Sequence, residues 1–191
     1  MASTAYPYGM VPVENLSAGY NTQGFETLQI LDGYTTSIFF GDVVKMAGTG
    51  LIQLDTGTTT LTPYGVFVGC RYKDPASGRT YDSQYWPAST TTGEEVYAKV
   101  VTNPDAVFMI QSAGSVTQAM LGANGDIVQT AGNTTFGKSR NAFATTTPDT
   151  TSTRPLRIVG FSQSPNNAVA DAFTDILVKF NNHQLTTLTG V

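Results

Sequence analysis

Along most of the chain, apolar residues come in short runs of strong β-formers, separated by Gly, Asp, Asn, Pro and Thr. That rhythm predicts many short strands joined by turns. TLQIL (27–31) runs into Asp32-Gly33, a dipeptide favoured in two-residue hairpin turns. YTTSIFFGDVVK (34–45) reads as a strand, a tight turn at Gly41-Asp42 and the next strand. Alternation puts Ile38 and Phe40 on one face and Phe39 on the other. A strand apolar on both faces is expected where a core covers one side and a neighbour the other. YGVFVGCRY (64–72) is a further strand, with Val66, Val68 and Cys70 on one face and Phe67 on the other. EEVYAKVVT, AVFMIQS, DIVQT, RPLRIVGFSQ and TDILVKFNN supply the later strands. One helix is expected, over Ser115–Asp126, with Ser115 as cap and Val116, Ala119 and Met120 on one face.

The expected fold is all-β: an antiparallel β-sandwich or barrel, jelly-roll-like, with at most one short helix. Residues 1–26 break the pattern. They carry Pro7, Pro12, several glycines and sticky residues including Tyr6, Tyr8, Met10, Val11 and Tyr20. Proline and glycine at this density favour an extended path. This segment is expected to be an extended N-terminal arm, lying on a partner or on its own domain, with 27–191 forming a single β domain. Deletion of residues 1–25 is expected to leave that domain folded.

Composition narrows the function. Only 13% of the 191 residues are charged, about half the usual share, while 40% are hydrophobic. Such a surface repels other copies weakly and suits packing against itself or a partner. The net charge is −4, and the ten Lys and Arg are scattered. No basic stripe is present, so no nucleic-acid partner is expected. No apolar run reaches the length of a membrane helix, and no membrane partner is expected. The opening decapeptide lacks the cationic and apolar regions of a secretion signal.

Candidate chemistry is sparse. There is one cysteine, Cys70, and one histidine, His183. A zinc site needs about four such ligands, and a Cys–His or Ser–His–Asp arrangement would have to use His183. The adjacent Glu94 and Glu95 point to opposite faces of a strand and do not form the carboxylate pair of a glycosidase. NGD (124–126) and DPASGRTYD (74–82) offer oxygen ligands for calcium, but ordinary turns use the same residues. No cofactor and no catalytic residue is expected. Tyr81, Tyr85 and Trp86 form a local aromatic cluster of a kind found at sugar sites and protein interfaces.

The run Tyr34–Lys45 resembles the xGYATSIFFGDPVK segment of structural proteins of tailed bacteriophages, with Val43 where that pattern has proline. GVFVGCRYKD (65–74), YWPA (85–88), SVTQAMLGANGDI (115–127), RPLRIVGFSQSPNN (154–167) and ILVKFNNHQL (176–185) are similar to the same family, in order and at matching spacing. The resemblance implies a virion role. It further implies a capsid cement, or decoration, protein on the outer surface of the capsid, acting as a homotrimer that bridges major capsid protein subunits. On that reading Tyr6, Tyr8, Met10, Val11, Tyr20, Phe39 and Trp86 are expected at the capsid or subunit interface. A tail, connector or receptor-binding virion protein is the alternative, and a small carbohydrate hydrolase a more distant one.

Overall fold

The computed structural model describes residues 4–15, 24–146 and 148–186. It is all-β. The strands are β1 (Val11–Asn15), β2 (Glu26–Ile30), β3 (Ile38–Phe39), β4 (Val43–Met46), β5 (Ile52–Leu54), β6 (Gly65–Lys73), β7 (Thr80–Ser83) and β8 (Tyr85–Trp86). They continue with β9 (Val96–Val101), β10 (Ala106–Gln111), β11 (Asn124–Gly125), β12 (Ile127–Val128), β13 (Ala142–Phe143), β14 (Leu156–Phe161) and β15 (Asp175–Phe180).

Five strands close into a small barrel in the order β4-β5-β2-β9-β6, and β6 returns to β4 through Val43 opposite Val66 and Val44 opposite Gly65. Closure removes the open edges that a flat sheet of these strands would expose. Four of the five pairings are antiparallel; β2 and β5 pair in parallel through Ile30 and Ile52. The barrel interior holds Ile30, Val44, Ile52, Phe67, Cys70, Val96, Ala98 and Val100. The β3–β8 ribbon adds Ile38 and Trp86, which face each other in register and are fully buried there.

A second sheet, in the order β1-β10-β15-β14-β11, packs on the outside of this barrel. On β15, Ile176, Val178 and Phe180 are buried while Asp175, Leu177 and Lys179 are half-buried, the period-two signature of a one-sided strand. These residues join Phe108, Ile110, Leu156 and Ile158 in a core that includes Val43, Val66 and Val101 from the barrel wall. Strands β4, β6 and β9 therefore serve two cores, with Val44, Phe67 and Val100 inward and Val43, Val66 and Val101 outward.

Several expectations are refined or corrected. The described part of the N-terminal segment, residues 4–15, lies on its own domain, one of the expected alternatives. β1 is the edge strand beside β10, with Pro12 opposite Phe108, an edge position where proline's missing N–H costs little. Met10 is fully buried in the second core. Tyr6 N–H donates to Gln111 Oε1 at 2.7 Å, and Gln111 Nε2 donates to the Thr4 carbonyl at 3.2 Å. Gly9 N–H donates to the Asn141 carbonyl and Met10 N–H to that of Gly41. Deleting this segment would expose a core, so residues 27–191 alone are expected to be less stable than the full chain.

The two expected hairpins are also absent. Tyr34 N–H bonds the Leu31 carbonyl and Asp42 N–H the Phe39 carbonyl, so both turns form. However, β2 pairs with β9 and β5, and β3 pairs with β8. On β6 a bulge at Val68-Gly69, with Gly69 at φ 144°, shifts the register. The extra residue moves Cys70 to the Phe67 face, away from Val66. The expected helix shrinks to one 3-10 turn at Gln118–Met120. Ser115 Oγ bonds the Ala170 carbonyl instead of capping a helix, and Asn124-Gly125 pairs as a strand with β14.

Two substitutions test this arrangement. A Cβ on Gly65 would lie 2.3 Å from the Val101 carbonyl oxygen and 2.7 Å from Val100 Cγ1. Gly65→Ala is expected to destabilise by about 1–3 kcal/mol through overpacking at the closing seam. An unchanged urea midpoint would contradict closure there. Met10→Ala is expected to cost about 2–5 kcal/mol, whereas a mobile arm residue would cost almost nothing.

Candidate functional site

Tyr6, half-exposed Tyr8 and exposed Phe136 border one surface groove together with Lys138 and Arg140. Tyr6 is 65% exposed and Phe136 is 60% exposed, the two most exposed large apolar side chains among the described residues. Phe136 is held out by a tight loop. Asn133 Oδ1 accepts the N–H groups of Thr135 (2.8 Å) and Phe136 (3.3 Å), and Asn133 N–H closes on the Lys138 carbonyl at 2.8 Å. Gly137, at φ 66°, makes the turn against Gln84 and Tyr85. On its other side Phe136 borders a second groove with Tyr72, Tyr81 and Tyr85. The result is a row of aromatic rings across one face, fixed by a rigid loop.

The electrostatics of this face are one-sided. Lys138 and Arg140 are exposed, and neither forms an ion pair with a described residue. No carboxylate lines their groove. Exposed aromatic rings beside an arginine are residue types enriched at protein–protein contact surfaces.

The structure divides the seven expected interface residues. Tyr6 lies on this face. Tyr8 borders it, but its hydroxyl donates to Asp175 Oδ1 at 3.0 Å, and burial together with that carboxylate pushes its pKa up. Val11 is half-buried in β1 opposite Met109. Met10 and Trp86 have no accessible surface and cannot touch a partner. Trp86 caps the barrel, edge-on to Tyr72 with centroids 5.4 Å apart, its Nε1–H donating to the Tyr34 carbonyl. Phe39 is 8% exposed and stacks on Tyr85 at 5.4 Å with planes 9° apart. Tyr20 lies outside the described residues. Phe136, Lys138 and Arg140 were not singled out from the sequence, although a phenylalanine inside the polar turn NTTFGK is itself a signal.

The sparse chemical candidates are placed apart. Cys70 belongs to the barrel core, and burial pushes its thiol up to about 12. His183 is buried against Tyr64 and Phe180, a residue of the other core. Its Nδ1 accepts the Leu185 N–H at 3.1 Å, and burial pulls its pKa down to about 4. The two do not form a nucleophile–base pair. Glu94 pairs with Lys73 and Glu95 accepts from the Tyr97 hydroxyl. Among the described residues no group of three His, Cys, Asp or Glu converges as a metal site.

Among the described residues Asp42 is the one buried carboxyl with a strongly raised value. It is 4% exposed, and burial lifts it to about 6 against the opposing bonds from Ser139 and the Phe39 N–H. Comparison with known proteins finds no match: no family model, no curated protein and no solved structure aligns with this chain.

The opposite shifts of Asp42 and His183 give a pH prediction. Asp42 is raised in the folded state, so its contribution is full below about pH 4 and is lost as pH rises through 6. His183 is lowered, so its contribution is full above pH 6.5 and is lost as pH falls through 4. Across the shared window folding takes up a proton at one site and releases one at the other, and the slopes cancel. Asp149, held down to about 2 by Arg154, acts below that window. Asp42→Asn is expected to leave a stability that rises on the order of 3 kcal/mol between pH 4 and 6.5. His183→Phe is expected to leave one that falls by a similar amount as pH rises to 6. Parallel stability–pH curves for wild type and both variants, from urea melts, would contradict these assignments.

Proposed function

We propose that this chain is a structural protein of a tailed-bacteriophage virion: a capsid cement, or decoration, protein that binds the outer surface of the head. It would bridge major capsid subunits, most simply as a homotrimer. The observation that carries the reading is the exposed aromatic row of Tyr6, Phe136 and Tyr81 on one face, beside Lys138 and Arg140, which form no ion pair with a described residue. Exposed aromatic rings gathered on one face of a low-charge protein are a candidate contact surface. The sequence resemblance names the class of partner, and the face names the residues that would meet it. The mechanism is mechanical: each copy adds buried contact across a joint, and many weak contacts act together through avidity. Residues expected from the arm act here as part of the folded face, through Tyr6, and not as a free tether. The same surface would equally serve a tail, connector or receptor-binding part, which differ in copy number.

Purified particles stripped of this protein provide the test. Wild-type protein is expected to rebind them. Tyr6→Ala combined with Phe136→Ala is expected to stay folded, with stability changed by about 0.5 kcal/mol or less per surface site. Its rebinding is expected to fall at least about tenfold, the effect of removing interface anchors. Undiminished rebinding of the double variant would overturn the assigned face.

A further inference from the structure

Beside the β3–β8 ribbon the surface opens into a cleft of about 440 Å³, separate in its lining from the aromatic grooves. Three stretches of chain supply its outer walls: Thr36-Ser37 before β3, Leu54 and Thr56 at the end of β5, and Gln129–Gly132 after β12. Its inner groups are locked to one another. Asn141 is 1% exposed; its Nδ2 donates to Asp42 Oδ1 at 3.2 Å and its Oδ1 accepts the Thr130 N–H at 2.9 Å. Asp42 Oδ2 accepts the Phe39 N–H at 2.8 Å. Gln129 Nε2 is held by the carbonyls of Asp55 and Gly57. Gly132 lies against the Phe39 ring, where a Cβ would come within 2.2 Å. The walls are thus fixed before any ligand arrives.

What remains unused faces outward. The hydroxyls of Thr36, Thr56 and Thr130 make no hydrogen bond to another described residue. The Gln129 amide oxygen likewise has no donor among them. Phe39, Leu54 and Ala131 add apolar surface between these polar groups. No Lys, Arg or His lines the cleft, and its one ionisable group is an acid. An anionic ligand would meet a carboxyl and no cation. A ligand of many hydroxyls and apolar C–H faces would meet matching donors, acceptors and apolar wall. The volume lies within the range of about 300–1,000 Å³ usual for small-molecule sites.

We propose that this cleft is a saccharide-binding site, taking one neutral sugar unit such as the terminal residue of a glycan. The site binds and does not cleave, because Asp42 has no second carboxylate lining the cleft to work with. It does not depend on the capsid reading, since no residue of the aromatic face lines it. On any particle surface it would give the protein weak adhesion to glycans, multiplied by copy number.

The test is a titration of the full chain with the methyl glycosides of glucose, galactose, mannose and N-acetylglucosamine, read by amide chemical shifts. At least one glycoside is expected to give saturable shifts at millimolar concentration, centred on residues 36–37 and 129–132. Ala131→Trp fills the cleft from an exposed position and is expected to abolish them, with the rest of the amide spectrum unchanged. Absence of saturable shifts with all four glycosides would overturn the proposal, as would shifts that persist in Ala131→Trp. Equal shifts from inorganic phosphate would overturn the assignment of a neutral ligand.

Discussion

The structure depends on the closing seam of the barrel, where one wall must serve two cores at once. β4, β6 and β9 send Val44, Phe67 and Val100 inward and Val43, Val66 and Val101 outward. Period-two geometry allows this only if all three strands hold register, because a slip of one residue would exchange the two sets. Gly65 lets β6 approach the Val101 backbone closely enough to reach β4. The barrel closes there, and the second sheet gains an apolar surface to lie on.

The N-terminal segment then fastens the two parts. It passes over Gly41, whose positive φ and bare Cα leave room for the backbone of Tyr8 and Met10. It continues as β1 along β10, while Gly9 bonds the backbone of Asn141. Asp42 and Asn141 tie the same junction from beneath through side chains 99 residues apart in sequence. A carboxyl held neutral up to about pH 6 by burial fits such a joint, since it can be buried with few partners. The junction also forms the inner wall of the cleft, which explains why that cleft is rigid.

Strand content was legible from sequence because the apolar runs are short, β-branched and bounded by turn residues. The runs at 96–101, 106–111, 156–161 and 175–180 all became strands. Partners were not legible. Asp32-Gly33 and Gly41-Asp42 make real turns, yet the strands they join do not pair with each other: β2 pairs with β9, β3 with β8, and β4 with β5 and β6. The Gly69 bulge, which reverses Cys70, has no local signature beyond a glycine inside a strand. The helix expected at 115–126 lost to pairing of Asn124-Gly125 with β14 and to packing of Gly125 on Phe143. The stickiness of the N-terminus was legible, but which surface it meets was not, because the residues that receive it, 41 and 139–141, are remote in sequence. Of the expected interface residues, Tyr6 is exposed. Met10 and Trp86 were chosen for their apolar bulk, which is the same property that buries a side chain.

Among the described residues the cysteine and the histidine are buried and lie apart, while aromatic rings are exposed on one face. His183 and Cys70 are buried as packing groups in different cores, while Tyr6, Phe136 and Tyr81 stand out on one side. On the proposed reading, such a protein would act by where it sits. The most direct test is its copy number in purified virions, by quantitative mass spectrometry against the major capsid protein. The account predicts a simple ratio to that protein, as for a subunit spread over the whole head lattice. A count sufficient only for a single vertex or a tail structure, or absence from the particle, would contradict it.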